Sequence, residues 1–172
     1  MEIDKYDKHL NAVAQACFEW ESSGYITALV NGCFDPPHVG HADLFYRSHD
    51  EVGGALGVFP SRVKIVVAVN SDESVRALKG PHRPVSNERH RVFHVGCLRG
   101  VDRVFPFPDL RTTKILRTLT PSVVVRSSKD GCQLHPDEAE VCSELGIKVL
   151  YVKPHFRVSS SGLIAKVAAE YA

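Results

Sequence analysis

Three kinds of excess are missing from this sequence, and each absence removes a class of function. No apolar run reaches the roughly eighteen residues a membrane helix needs, and the N-terminus is acidic and polar, so neither a membrane span nor a signal peptide is expected. Lipidation signals are absent too. No charge of one sign dominates: 21 Lys and Arg stand against 20 Asp and Glu, a net charge of +1. No global field therefore draws the chain to nucleic acid or to a membrane surface, and any anion must be bound by a local cluster. The five cysteines (17, 33, 97, 132 and 142) are odd in number and include no Cys-x-x-Cys pair. That argues against a disulfide framework and fits a reducing cytoplasm. Cys132 and His135 make half a metal site at most, and without a partner pair they read as loop residues.

What is present is organised around Tyr25 to His41, Y-I-T-A-L-V-N-G-C-F-D-P-P-H-V-G-H. Ile26, Ala28, Leu29 and Val30 form a near-continuous apolar run, the pattern of a strand buried on both faces of a parallel sheet. The run stops at Asn31-Gly32, where Gly32 is expected to permit a tight turn. Pro36 and Pro37 stiffen the loop, and a helix starting near His38 or Val39 would aim its free N–H groups into the crevice above the strand. His38 and His41 lie three apart around Gly40, which leaves room for a phosphate at the backbone. A zinc pair fits the same spacing, but no third ligand follows nearby.

The rest of the chain, 172 residues in all, reads as one domain of alternating strands and helices. Residues 4 to 21 place Leu10, Val13, Ala14, Cys17 and Phe18 on one helical face, closed by Gly24. A helix from Val39 is expected to break at Gly53-Gly54, leaving 53–61 as an apolar, glycine-rich loop. Val63 to Val69 is a second buried strand, and Asn70-Ser71-Asp72 cap a short helix. Lys79, His82 and Arg83 form a basic cluster in a proline-bounded loop. Glu88 to about Gly100 is a helix with Val92, Val95 and Leu98 inward, and Val101 to Phe105 a strand. Asp109 is expected to cap a helix through Leu119, and Ser122 to Arg126 is the next strand. Pro136 to Leu145 is a helix, Ile147 to Val152 the last strand, and Ser159 to about Tyr171 the last helix. Ser159, Ser160 and Ser161 put three hydroxyls beside the free amides of that helix, an arrangement suited to a triphosphate.

G-C-F-D-P-P-H-V-G-H resembles the G-x-F-D-x-x-H-x-G-H signature of the cytidylyltransferase-like nucleotidyltransferases. Val67 to Val85 is similar to the matching segment of the adenylyltransferase domain of ADP-heptose synthase and, more loosely, of glycerol-3-phosphate cytidylyltransferase. Val158-Ser159-Ser160-Ser161 sits where that family carries I-S-T-T or I-S-S-T. The resemblance runs over residues 25 to 168. It implies a Rossmann-like three-layer α/β sandwich of about five parallel strands over 25–172, with 1–24 as an N-terminal helical extension. It also makes 53–61 an insertion, placed as a lid, a subunit contact or a loop tucked onto the surface.

The chemistry so implied is transfer of AMP or CMP from a nucleoside triphosphate to a sugar-phosphate or polyol-phosphate, releasing pyrophosphate. His38, His41 and Lys79 take the catalytic roles. Gly32, Cys33, Phe34, Asp35, Gly40, Arg126, Ser159, Ser160 and Ser161 hold the nucleotide, and Asp72, Arg83 and Arg91 hold the acceptor. Mg2+ arrives with the triphosphate rather than on a protein metal site. The expected partners are these two small molecules, without nucleic acid or membrane, in a cytoplasmic homodimer. Two departures stand out. Relatives place an acidic residue two before an arginine, whereas here Arg89 precedes Arg91, with Glu88 beside it. Where heptose-type proteins show V-K-G-G-D, this chain has Val125-Arg126-Ser127-Ser128-Lys129-Asp130, which points to a different acceptor. F-D-P-P-H-V-G-H-A-D-L and V-S-S-S-G-L-I also resemble nicotinate-mononucleotide and phosphopantetheine adenylyltransferases, and a nucleotide-binding module without turnover is the third reading.

Overall fold

In a computed structural model the chain is described over residues 3–128 and 133–171. Five strands, β1 (Ile26–Gly32), β2 (Val63–Asn70), β3 (Arg103–Phe107), β4 (Val123–Ser127) and β5 (Lys148–Val152), form one sheet in the order β3-β2-β1-β4-β5. Every pairing is parallel, with Ile26 opposite Val63 and Ala28 opposite Val123. The helices are α1 (Ile3–Ser22), α2 (Val39–Leu56), α3 (Asp72–Lys79), α4 (Glu88–Gly96), α5 (Thr113–Leu119), α6 (Pro136–Glu144) and α7 (Ser160–Tyr171).

The unbroken apolar strands follow from burial on two faces. Ala28, Val30, Ile65, Val67, Val69, Val123 and Val125 meet Phe45 and Val52 of α2 and Val95 of α4 on one side. Leu29, Val66, Ala68, Phe105, Phe107 and Val124 meet Ile115 and Leu116 of α5 and Val141 and Cys142 of α6 on the other. The Rossmann-like three-layer expectation holds. The chain leaves β1 toward β2 and β3 in one direction and returns for β4 and β5 in the other, so strand order reverses between β1 and β4. The carboxyl ends at such a reversal open a crevice.

Helix α1 belongs to the α5–α6 side, where Tyr6, Leu10, Val13 and Cys17 enter the core and Trp20 packs against it. Phe18, expected inward, is 67% exposed. The buried face runs 6, 10, 13, 17, 20, and Phe18 lies just beyond its edge. Three further boundaries move, the first being the helix expected to reach about Gly100, which ends at Gly96. The strand expected at Val101 begins at Arg103, and Asp109 does not cap α5, whose N-cap is Thr112.

The expected break at Gly53-Gly54 does not occur: α2 runs on to Leu56 and ends at Gly57, which takes the left-handed conformation (φ 68°). Glycine is required at 53 for packing, because a Cβ there would sit 2.8 Å from the Val58 carbonyl oxygen. At 54 a Cβ would meet nothing within 4 Å. The segment 53–61 is thus a helix end and a return turn, closed by the 3-10 turn Pro60–Arg62. Its distance from the start of α2 is about 20–25 Å by helical rise, too far to be a lid. The two glycines should respond oppositely to alanine. Gly53→Ala should cost about 1–3 kcal/mol through the backbone clash, whereas exposed, helical Gly54→Ala should gain about 0.5–1 kcal/mol. Calorimetric melting of the two variants reads the signs, and equal shifts would contradict this packing.

Candidate active site

A cavity of about 780 Å3 opens at the carboxyl ends of β1 and β4. Its lining brings together His38, Gly40 and His41 from the start of α2, Gly32 to Asp35 from the loop before it, and Ser159 to Ser161 from the start of α7. Lys79 closes α3, Arg83 follows it, and Arg126 comes from β4. These are thirteen of the fifteen residues expected from the sequence, His38 and Lys79 among them.

His38 is the N-cap of α2, with extended backbone. Its N–H donates to Nδ1 of His41 at 3.2 Å, so a neutral His41 carries its proton on Nε2. The two rings stack at 3.7 Å between centroids, 15° from parallel. Phe34 meets His41 edge-on at 5.0 Å and packs on Phe45 at 5.5 Å, which ties the imidazole pair to the core. Gly40 admits this arrangement, since a Cβ there would lie 3.1 Å from the His38 ring. Gly32 is not the turn residue expected. It ends β1, and the positive φ (49°) falls on Phe34, whose ring would be 3.1 Å from a Cβ at Gly32.

Two ion pairs, each with one fully buried partner, fix the loop. Asp35, 1% exposed, accepts from Arg83 Nε and Val85 N–H through Oδ2, at 2.6 and 2.8 Å, and from Ser86 N–H through Oδ1 at 2.8 Å. Arg83 Nη2 also donates to the Asp35 carbonyl. Arg91 is 0% exposed. Its Nη1 donates to the carbonyls of Cys33 and Asn70, both at 2.7 Å, its Nε to Ser86 O at 2.9 Å and its Nη2 to Asp72 at 2.8 Å.

Neither Arg91 nor Asp72 lines the cavity, so the acceptor contacts expected of them do not follow from their positions. Arg91 is a brace inside the protein and Asp72 is its counter-ion. Glu88 stands at the start of α4, where burial foremost, with Asp72 nearby, pushes its carboxyl up. At the other wall of the helix starts, Ser160 Oγ donates to Pro36 O at 2.9 Å, joining α7 to the loop, and Ser159 Oγ accepts from Gly162 N–H. The approach to α7 is pinned to α2 by Arg47 on Lys153 O and by Asp43 on His155.

Sequence reasoning missed three cavity residues, Arg111, His135 and Glu138. Glu138 accepts from Thr112 and Arg126 across the sheet end, and the three stand in different segments, so no spacing announces them. Lys129, Asp130 and Cys132 lie outside the described residues. Among the described residues no group of three or more His, Cys, Asp or Glu is placed to hold a metal ion. The two carboxylates lining the cavity, Asp35 and Glu138, are both engaged by arginine and backbone donors, so the donor set does not fit a protein-held cation. No helix of the described residues is long and apolar enough to cross a membrane.

A doubly wound parallel sheet with a cation-lined crevice at its switch point defines a Rossmann-like protein built to receive an anionic ligand. Within that class the chain belongs to the Cytidylyltransferase-like family, whose model matches residues 29–166. The bifunctional protein HldE of Azorhizobium caulinodans is 35% identical over 150 residues, 86% of this chain and 28% of that protein. HldE of Desulfatibacillum aliphaticivorans is 32% identical over 93% of this chain and 30% of its own length. The chain thus spans less than a third of the curated relatives it matches. The crystal structure of the lipopolysaccharide core biosynthesis protein from Thermoplasma volcanium GSS1 shares the fold, with a TM-score of 0.57, 20% identity, and coverage of 76% of this chain and 98% of that one.

Two stability measurements test the braces. Arg91→Met should cost about 3 kcal/mol or more in urea unfolding, because three carbonyls and a carboxylate lose a charged donor. Burial opposes ionisation of Asp35 and Glu138, but the hydrogen bonds and arginines around them hold both carboxyls below their ordinary range. A lowered folded pKa gives stability that is present above the unfolded value, near about 4, and lost as pH falls through the folded one. As pH is lowered from about 5 to about 2, stability against denaturation should therefore fall more steeply for the native chain than for Glu138→Gln. Parallel curves would contradict the ionised hub.

Proposed function

We propose that the chain is a nucleotidyltransferase that moves AMP or CMP from a nucleoside triphosphate to a sugar-phosphate or polyol-phosphate. The single observation that carries this reading is the stacked His38–His41 pair, set by a backbone N–H to Nδ1 bond at a helix start that shares one cavity with Ser159 to Ser161. Membership of the Cytidylyltransferase-like family and similarity to HldE proteins support the reaction class and the sugar-phosphate acceptor.

An acceptor phosphate with a second pKa of about 6 is already a dianion at neutral pH, so attack needs no general base. One of its oxygens bonds to the α-phosphorus as the α-phosphorus–oxygen bond to the β-phosphate breaks, and the electron pair leaves with pyrophosphate. No covalent intermediate on the protein is required. The protein's part is position and charge: the imidazoles, the amides at the start of α2 and Lys79 meet the negative charge that builds on the phosphates. We place the triphosphate against Gly32, Cys33, Phe34, Gly40 and the serines, with Asp35 and Arg83 shaping the loop that receives it. Mg2+ enters this proposal on the triphosphate itself, since the cavity carboxylates are engaged elsewhere. A cytoplasmic location and a homodimer belong to the same proposal, and light scattering counts the chains per particle.

Pyrophosphate release, assayed with ATP, CTP, GTP and UTP against phosphorylated sugars and polyols, tests the function. One donor and one acceptor should together give turnover, and binding without release in every combination would leave a nucleotide-binding module instead. His38→Ala and His41→Ala should each fold normally and lose about 100- to 1,000-fold in kcat, the loss expected for one well-placed transition-state donor. Unchanged turnover in either variant would sink the clamp.

A further inference from the structure

The stacked imidazoles and α7 serve the α2 side of the sheet, but a second charged group lies across the sheet edge, on the α5–α6 side. Its centre is Glu138, 5% exposed. Oε1 accepts from the Thr112 N–H at 2.8 Å and its hydroxyl at 2.7 Å, and Oε2 from Arg126 Nη2 at 3.0 Å and the His135 N–H at 3.2 Å. One carboxylate thereby gathers the loop before α5, the end of β4 and the start of α6. What these segments bring to the cavity is Arg111, Arg126 and His135.

Arg126 is only partly satisfied. Its Nε is buried and has no hydrogen-bond partner among the described residues. A buried donor on a charged group without an acceptor is costly, and in a cavity wall the natural acceptor is a ligand oxygen. A guanidinium suits an oxyanion that it can hold by more than one N–H.

We propose that Glu138 is a positioning residue that braces Arg126 directly, and Arg111 through its neighbour Thr112, as a two-guanidinium seat for the oxyanion of the phosphorylated acceptor. This rests on the transferase reading above and deepens it by moving Arg126 from the residues expected to hold the nucleotide to the acceptor, toward which the departure at Val125 to Asp130 points. The triphosphate and the acceptor then approach from opposite layers of the sheet and meet over the ends of β1 and β4. Glu138 contacts neither of them.

The test is calorimetric titration of the full chain with inorganic phosphate, alone and with a saturating ATP or CTP analogue carrying a methylene between the α and β phosphates. Phosphate should bind beside the analogue. Arg126→Lys keeps a counter-charge for Glu138 but lacks the Nε donor, and it should weaken phosphate by about 10-fold or more while leaving the analogue's affinity unchanged. Glu138→Gln should do the same. In turnover both variants should raise the acceptor KM at unchanged triphosphate KM, a split that mere loosening of the fold would not give. Native phosphate affinity in a folded Arg126→Lys chain, or parallel loss of the analogue, overturns the seat. If the analogue binds and His41 matters while Arg126 and Glu138 do not, the transferase stands and the seat falls. If phosphate needs Arg126 but no nucleotide binds, the seat stands as an anion site and the transferase reading falls.

Discussion

The crevice depends on one buried guanidinium. Arg91 stands inside the protein with no exposed surface and donates to two carbonyls at the strand ends, Cys33 just past β1 and Asn70 at the end of β2. A charged donor is a strong partner for carbonyls at strand ends. The same side chain reaches Ser86 O and Asp72, so the loops after β1 and β2, and those leading into α3 and α4, share one anchor. Burying a lone charge is prohibitive, and here three carbonyls and a counter-ion offset it. Asp35 does the converse nearby: a buried carboxylate gathers Arg83 and two backbone amides from the loop ahead of α4.

Charge in the cavity follows from how its carboxylates are spent. Among the described residues, Lys79, Arg83, Arg111 and Arg126 line it against Asp35 and Glu138. Asp35 is paired with Arg83 and Glu138 with Arg126, so the surplus of positive charge is local although the chain as a whole is nearly neutral. A field of that kind attracts a phosphate without drawing the protein to polyanions in general.

The layer order was legible because burial on both faces leaves a signature that survives in one sequence. Ile65 to Val69 has no polar position to alternate with, and such a run has few other homes. The imidazole pair was legible for a related reason: Pro36 and Pro37 confine the backbone and Gly40 leaves room beside the His38 ring, so residue types near one another in sequence are near in space. Other features depend on partners that sequence does not display. Gly53 reads as a helix breaker until the Val58 carbonyl is seen to occupy the space of its side chain. Arg91 reads as a substrate contact because the family resemblance implies that role, and only its depth shows that three backbone carbonyls and Asp72 take its donors. Glu138 reads locally as no more than a helix-start residue bonded to the His135 N–H, because the partners that make it a hub are 12 and 26 residues away.

These braces imply a division of labour that bears on specificity. A group that must meet a developing charge works best when its position is set before the substrate arrives, since the cost of ordering it is then met in folding rather than in binding. His41 is set by the His38 amide and the Phe34 ring, and Arg126 by Glu138. The supports differ in reach. The helix start is built from consecutive residues and tolerates little change, whereas the Glu138 hub joins three segments whose neighbouring residues can vary while the carboxylate stays in place. The departure from the heptose-type pattern begins at Arg126, on that second support. On the reading proposed above, altering residues there changes what the acceptor must present without disturbing the imidazole pair, so a common transfer chemistry is kept while the molecule that receives the nucleotide changes.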